Sequence, residues 1–390
     1  MSFLNLLMIK IGAKILAITV SLIAVFASLY SHPFPQKDIV YQAPLTKETA
    51  TTTEPADFNL VEATSTKTVQ KEKIIAVKKE EIPLVVPKVK EKIPPGEISP
   101  SLIPTGELNP VIRESLVNIL CTSKSSGLLE PLSASGVIID PRGVIITNAH
   151  VAEFFLLQDY HSPNFIECAI RTGSPAKPTY KASLLNISAS WVNDTTPTIK
   201  QNERTGTGEH DYALLIVTSK INGEKIASGF NFPFVNYDLS FVPYLNQPIF
   251  LASYPAEFLG GAIIQKDLWP VTTEGMIKMS YYFNNASLKS PDLLGLGASV
   301  VAQSGSSGGA VIDRHSGKLT ALIVTTSEGK TTGERSLNAV TINHISRSLK
   351  EEMGKNLDEF LAQDLSAELA RFQNEDFPKL KAVLVRELDK

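Results

Sequence analysis

The sequence predicts an all-β globular region made of two β-barrels or barrel-like sandwiches, with a non-globular segment before it and helices after it. Two sets of short β-branched segments follow one another in the middle of the chain. Within each set, turn residues such as those at 140–143 separate one segment from the next. Residues before about 105 lack the composition of a packed domain, and residues after about 350 carry apolar side chains at helical spacing. We therefore expect strands to form the main core.

The chain has 390 residues, of which 43% are hydrophobic and 20% charged, and its formal net charge is −3. This length is enough for one large or two ordinary domains plus extensions. Glutamates are interspersed among the lysines between 67 and 92, so no basic block indicates a nucleic-acid partner. The two cysteines form no CxxC spacing and no His/Cys cluster, so we expect neither a metal nor a cofactor.

Residues 1–34 read as a signal peptide or a signal anchor. Lys10 and Lys14 precede an apolar run from Ile15 to Tyr30, and no further charge occurs before Lys37. Counted to residue 34, the run approaches the roughly 20 residues that cross a bilayer. Under either interpretation the lysines stay in the cytoplasm and the rest is exported. We therefore expect a bacterial-type membrane protein with its globular region outside the cytoplasm, or a secreted protein if the segment is cleaved.

Residues 35–105 are rich in Pro, Thr, Lys and Glu and nearly free of aromatic residues. Such a segment buries too little apolar surface to offset the entropy of ordering it. We interpret it as a disordered linker that spans roughly 45 Å root-mean-square and tethers the globular region to the membrane.

The globular region is expected at 106–350, with the first barrel at 106–235 and the second at 236–350. The strands predicted for the first barrel are Leu116–Cys121, Ala134–Ile139, Gly143–Thr147, Ile166–Arg171, Tyr180–Ile187 and Tyr212–Val217. Those predicted for the second are Pro248–Ala252, Ala262–Gln265, Val271–Thr273, Met276–Phe283, Ala310–Ile312, Leu319–Thr325 and Asn338–Ile342.

Residues 351–390 are predicted to form a helical extension, after a helix that starts near residue 344. Apolar side chains recur at helical spacing at Leu357, Phe360, Leu361, Leu365 and Leu369. This stripe either packs on its own domain or forms an oligomerisation or partner helix. The oligomeric state stays open.

The segment from Gly305 to Gly309, with sequence GSSGG, places Ser307 between glycines. A serine hydroxyl needs a base to take its proton and N–H donors to hold the oxyanion that forms. The flanking glycines allow a sharp turn, so that the amides of Gly305 and Ser307 can point at one spot. An isolated motif of this kind is equally compatible with a surface turn.

Two upstream segments favour the catalytic interpretation. The segment TNAHV at 147–151 supplies His150 as a base. The segment DYALL at 211–215 supplies Asp211 as an acid that orients the His150 ring. The order His, Asp, Ser differs from the order Ser, Asp, His of α/β-hydrolases.

Other residues compete for these roles and are set aside. His210 adjoins Asp211 and would point to the opposite face of a strand, so we interpret it as a surface histidine. Ser304 and Ser306 do not have glycines on both sides, and His344, in the predicted helix, receives no role.

The three motifs resemble those of chymotrypsin-like (trypsin-fold) serine endopeptidases, and more specifically those of the HtrA/Deg-like branch. The resemblance extends from about Leu108 to Lys350, where LASYP at 251–255 and VTTEGMI at 271–277 are similar to further family segments. It implies two six-stranded antiparallel barrels with the site between them. The residues after Lys350 are too few for the PDZ domain that usually follows, so none is expected.

The resemblance also implies roles for individual residues. Ser307 attacks the scissile carbonyl, His150 takes its proton, Asp211 orients the imidazole, and the Gly305 and Ser307 amides form the oxyanion hole. The residues implied to line the substrate pocket are Val301, Ala302, Thr325 and Thr326.

These apolar and neutral walls predict polypeptide substrates cut after small or medium aliphatic residues. Two alternatives are kept: a catalytically silent binding module at the cell envelope, and an esterase.

Cys121 and Cys168 both fall in predicted strands of the first barrel. Because export places them in an oxidising compartment, we predict a disulfide between them. The alternative is a pair of buried thiols that act as small apolar side chains.

Overall fold

The computed structural model describes residues 101–124, 130–200, 207–283, 290–326, 331 and 333–390. The predicted signal or anchor segment at 1–34 and most of the predicted linker at 35–105 lie outside these ranges. Within them, no helix is both long enough and apolar enough to cross a bilayer.

Six antiparallel strands close into a barrel in the order β1-β2-β3-β6-β5-β4. They are β1 (Leu116–Ser123), β2 (Leu132–Asp140), β3 (Val144–Thr147), β4 (Ile166–Thr172), β5 (Lys177–Ile187) and β6 (Ala213–Lys220). Helix α1 (Thr105–Ser115) precedes the barrel, α2 (Ala149–Leu156) follows β3, and α3 (Ala189–Thr195) follows β5. This barrel agrees with the predicted one strand for strand.

Seven strands form the second sheet, in the order β8-β7-β11-β12-β13-β10-β9. They are β7 (Pro248–Ser253), β8 (Val271–Met276), β9 (Met279–Tyr281), β10 (Leu293–Gly297), β11 (Ala310–Asp313), β12 (Leu319–Thr326) and β13 (Leu337–Thr341). Instead of a six-stranded barrel, the described residues form a curled sheet with β8 and β9 at its edges. The additional strand, β10, has the sequence LLGLG and lacks the β-branched residues by which strands were recognised.

The strand predicted at 262–265 is wrong, because these residues form helix α4 (Gly261–Lys266). The local pattern of two adjacent isoleucines favours a strand. The helix is instead stabilised by the buried guanidinium of Arg171. This group donates hydrogen bonds to the carbonyls of Ile264 and Gln265 at the C-terminal end of the helix. That contact joins positions far apart in the sequence.

The globular region begins earlier than the sequence indicates. The Ile103 amide donates to the Arg314 carbonyl at 2.8 Å. Helix α1 then buries Leu108 and Ile112 in an apolar cluster shared by both sheets. The last residues assigned to the linker are thus part of the packed domain.

Four helices complete the chain: α5 (Ile342–Met353), α6 (Leu357–Leu361), α7 (Leu365–Glu375) and α8 (Phe377–Leu388). Leu357, Phe360 and Leu365 are buried in the cluster that the two sheets share, and Leu384 is buried against the first barrel. The prediction that this extension packs on its own domain is confirmed.

Cys121 on β1 and Cys168 on β4 lie opposite each other in the strand register and are joined by a disulfide. The bond links residues 47 positions apart in the sequence. In the chain-entropy description, closing a loop of this length stabilises the folded state by about 4 kcal/mol.

We expect a reductant to lower the free energy of unfolding of the isolated protein by up to about 4 kcal/mol, measured by chemical denaturation. The double variant Cys121→Ala/Cys168→Ala is the control, because its transition must not respond to reductant. Intact mass after alkylation without reductant checks the bond itself. Two alkyl groups on the denatured protein would contradict the disulfide.

Candidate active site

His150 is the second residue of α2, where the chain turns out of the buried strand β3. A helix leaves the N–H groups of its first turn without partners. Here the backbone N–H of His150 donates to Oδ1 of Asp211 at 3.0 Å, and its ring Nδ1 lies 2.7 Å from Oδ2 of the same carboxylate. Asp211 therefore fixes both the start of the helix and the imidazole.

Asp211 is itself held in place. It lies just before β6 and is 5% exposed, and its carbonyl accepts a hydrogen bond from Nδ2 of Asn148 at 2.9 Å. An ionised carboxylate only accepts hydrogen bonds, so the neutral imidazole carries its proton on Nδ1. This tautomer leaves Nε2 as the basic nitrogen.

The loop that carries Ser307 has two glycines with positive φ, Gly305 at +94° and Gly308 at +81°. A Cβ on Gly308 would lie 2.0 Å from the Ser135 carbonyl oxygen. Only glycine fits where two backbone segments approach so closely. The motif is therefore required by packing as well as by the turn.

Ser135 on β2 ties this loop to the first barrel. Its N–H donates to the Ser307 carbonyl and its hydroxyl donates to the Gly305 carbonyl, both at 2.8 Å. The same hydroxyl accepts from the Tyr254 amide at 2.8 Å. In the parts of the chain that the structure describes, the N–H groups of Gly305 and Ser307 donate to no protein acceptor. They are the pair predicted for an oxyanion hole.

The three serines of this region have different surroundings. Ser306 is buried, and its hydroxyl accepts a hydrogen bond from Ser253 at 2.9 Å. Ser304 and Ser307 both line the cleft of His150, but Ser304 is exposed, whereas Ser307 is half-buried and its carbonyl is held by the Ser135 amide. Of the three, Ser307 best combines a fixed backbone with access to the histidine.

The cleft has a volume of about 530 Å³. Its walls include apolar side chains from the first barrel and from the segment between β7 and β8, namely Leu120, Leu132, Leu259 and Ile264. Ile264 is positioned by Arg171, which is fully buried and has no carboxylate among its described hydrogen-bond partners. Burial lowers the pKa of this guanidinium, with Tyr254 acting in the opposite direction.

An ion pair supports the segment before Ser307. Glu257 accepts from the Ser304 amide at 3.1 Å and from the Arg335 guanidinium at 2.7 Å. The Arg335 hydrogen bond lowers the pKa of the Glu257 carboxyl, which burial opposes and the Ser304 amide assists. Arg335 also donates to the Ala302 carbonyl at 3.2 Å.

The predicted substrate pocket is less clearly formed than the other parts of the site. Val301 and Ala302 are fully buried and do not line the cleft of His150 and Ser307. Thr325 and Thr326 lie at the end of β12, paired with β13, and their side chains fall outside the described parts of the chain. The pocket assignment stays a prediction.

Sequence reasoning missed two contacts near the site. Ser135 was not singled out, although the small residues at 133–136 interrupt a β-branched strand and signal a close backbone approach. His210 precedes β6 and does not lie within a strand, and its Nδ1 lies 3.0 Å from Oγ of Ser348 on α5. It is thus partly buried against a helix and is not simply a surface histidine.

We expect Gly308→Ala to lower kcat at least about 100-fold or to prevent folding, because the added methyl group displaces the loop from Ser135 by an ångström or more. Gly223→Ala is the matched control: Gly223 has a φ of +86°, but no atom lies within 4 Å of the place its methyl group would take. That variant should lose only about 1–2 kcal/mol through backbone strain. Denaturation curves and turnover numbers of both variants decide the matter. If Gly308→Ala and Gly223→Ala have equal stability and equal kcat, the close approach of Gly308 to the Ser135 carbonyl is contradicted.

The chain is similar to several known proteins. Residues 134–322 match the family model described as a trypsin-like peptidase domain. The crystal structure of a serine endoprotease from Yersinia pestis is similar at 18% identity and a TM-score of 0.39, covering 65% of this chain and 69% of that one. The crystal structure of Deg5 is similar at 16% identity and a TM-score of 0.40, covering 62% and 90%. No curated protein matches the sequence.

Proposed function

We propose that the protein is a serine protease that cleaves peptide bonds through a triad of His150, Asp211 and Ser307, and the match of residues 134–322 to a trypsin-like peptidase domain supports this. The observation that carries this proposal is the buried Asp211 carboxylate, because both of its oxygens are hydrogen-bonded to His150. Ser307 lines the same cleft as that histidine. The motifs around the three residues favour the HtrA/Deg-like branch of the family.

In the proposed mechanism, Oγ of Ser307 attacks the scissile carbonyl while Nε2 of His150 takes the hydroxyl proton. Asp211 stabilises the resulting imidazolium. The amides of Gly305 and Ser307 hold the oxyanion, each contributing on the order of 3 kcal/mol. When the C–N bond breaks, His150 gives the proton to the leaving amine. A water molecule then hydrolyses the acyl-enzyme by the same steps.

The proposed substrates are unfolded or exposed polypeptides cut after small or medium aliphatic residues. Val301 occupies the position six before Ser307, where an acid would be needed to receive Lys or Arg. Burying an unpaired cation beside it would cost several kcal/mol. Because one methylene discriminates by only about 1–3 kcal/mol, the preference should be broad.

The function is tested by incubating this protein with a reduced, unfolded substrate protein and identifying the cleavage products by mass spectrometry. We expect Val, Ala, Ile or Leu before the cut sites. A dominance of Lys or Arg would contradict the pocket assignment and leave the triad intact. Complete absence of cleavage would favour the silent binding module, and hydrolysis of esters alone would favour the esterase.

We further propose that the catalytic domain works outside the cytoplasmic membrane, tethered or released by the segment at 1–34. The charge pattern around Ile15–Tyr30 and the Cys121–Cys168 disulfide both support export. An externally added protease should cut the linker in intact spheroplasts. Protection of residues 35–105 until the cells are permeabilised would contradict this topology.

A further inference from the structure

Helix α5 presents three polar side chains, spaced four residues apart, to the segment that carries Asp211. They are His344, Ser348 and Glu352. Residues at this spacing lie on one face of a helix, one turn above another. The Ser348 hydroxyl lies 3.0 Å from Nδ1 of His210 and accepts from the Tyr212 hydroxyl at 3.1 Å. One helix face thus contacts the residues on both sides of Asp211.

The third residue of this face, Glu352, caps a neighbouring helix. Its carboxylate accepts from the Ser188 hydroxyl at 2.7 Å and from the amides of Ala189 and Ser190, both at 3.2 Å. Ser188 is the N-cap of α3, and its amide donates to the Tyr212 carbonyl. An anion at the start of a helix is electrostatically favourable. Glu352 therefore fastens α5 to the barrel beside the segment of Asp211.

His344 is the most constrained of the three residues. It is 8% exposed, its Nδ1 lies 3.0 Å from Oδ1 of Asp292, and its Nε2 lies 2.7 Å from the Glu209 carbonyl oxygen. A carbonyl oxygen and an ionised carboxylate can only accept hydrogen bonds. For both bonds to exist, both ring nitrogens must donate, so the ring is an imidazolium.

The surroundings of His344 support a positive charge. Asp292 also receives the Arg347 guanidinium and the Phe283 amide, and the Phe283 ring packs edge-on against the imidazole. Burial alone raises the pKa of the Asp292 carboxyl, but hydrogen bonds from His344 and the Phe283 amide, with the charges of His344 and Arg347, lower it on balance. The carboxylate therefore stays ionised and balances the imidazolium.

We propose that His344, doubly protonated between Asp292 and the Glu209 carbonyl, is a positioning residue that fixes the backbone two residues before Asp211. The Asp211 amide donates to the Gly208 carbonyl at 3.3 Å, which places both residues in one short turn. A shift of Glu209 would carry Asp211 with it and disturb its two bonds to His150. Misplacement of a catalytic group by about 1 Å can cost 100-fold in rate. This inference rests on the proposed role of Asp211 in the triad.

The test replaces the imidazolium with a neutral side chain in His344→Gln. We expect kcat to fall about 10- to 100-fold with little change in KM, because His344 does not line the cleft. His315→Gln is the control, since His315 contacts the exposed Tyr244 and is not one of the three polar residues that α5 presents to the segment of Asp211. If His344→Gln does not fold, Asp292→Asn tests the same network, because it keeps an acceptor oxygen and removes the balancing charge.

Nitrogen-15 NMR of the histidine rings separates positioning from a merely structural role. We expect both nitrogens of His344 to carry a proton, and the Nδ1 proton of His150 to shift or broaden in His344→Gln. An unchanged kcat, a single protonated nitrogen, or a kcat loss without any change at His150 would each overturn the proposal. If His344→Gln is fully active and Ser307→Ala is inactive, the positioning role of His344 is wrong and the proposed triad stands. If Ser307→Ala itself stays active, the proposed function fails.

Discussion

Ser307→Ala should lower kcat for peptide hydrolysis by about 10⁶-fold while leaving the protein folded. The alanine keeps the backbone that Ser135 holds and removes only the attacking oxygen. The Ser307 hydroxyl is half-buried and makes no hydrogen bond within the parts of the chain that the structure describes. Its loss should therefore change the free energy of unfolding by no more than about 0.5 kcal/mol.

Ser304→Ala is the matched control, because Ser304 is an exposed hydroxyl three residues away in the same loop. A fluorophosphonate probe should label the wild type and Ser304→Ala but not Ser307→Ala, and hydrolysis of a peptide should follow the same pattern. Near wild-type turnover in Ser307→Ala, or loss of labelling in Ser304→Ala, would assign the nucleophile to another residue.

The first barrel could be predicted from the sequence because its strands carry their own evidence. Segments such as Val144–Thr147 are β-branched, fully buried and bounded by a turn. In the second sheet, Leu293–Gly297 becomes a strand because it pairs with β13 and β9, not because of its composition. Helix α4 is likewise fixed by Arg171, more than ninety residues earlier in the sequence. Local patterns do not contain such long-range partners.

The same distinction applies to the site. His150, Asp211 and Ser307, the residues of the proposed triad, could be predicted because each lies in a short motif whose chemistry is visible in the sequence. Ser135 and His344, by contrast, contact the site segments through hydrogen bonds across 170 and 135 positions, respectively. The small residues at 133–136 signal a close backbone approach, but no local pattern identifies the loop that approaches Ser135 or the partner of His344. Positioning contacts of this kind become visible only once the two sheets have been placed against each other.

Asp211→Asn should lower kcat by about 10⁴-fold, although the side chain keeps its shape. The backbone N–H of His150 can only donate, so the amide oxygen of an asparagine will take the place of Oδ1 and continue to accept it. The amide NH₂ then takes the place of Oδ2 and faces Nδ1 of the ring. Nδ1 must now accept a hydrogen bond, which puts the imidazole proton on Nε2. A ring in this tautomer cannot take the proton of Ser307.

The measurement is kcat on a peptide substrate at neutral pH, together with the NMR signal of the His150 ring proton, which should move from Nδ1 to Nε2. Asp238→Asn is the control for the chemical change, because Asp238 is an exposed carboxylate that accepts from the Ser240 amide in a turn. That variant should keep its turnover. If Asp211→Asn retains kcat within about tenfold of the wild type, Asp211 does not set the tautomer of His150, because a wrong tautomer alone is expected to cost far more.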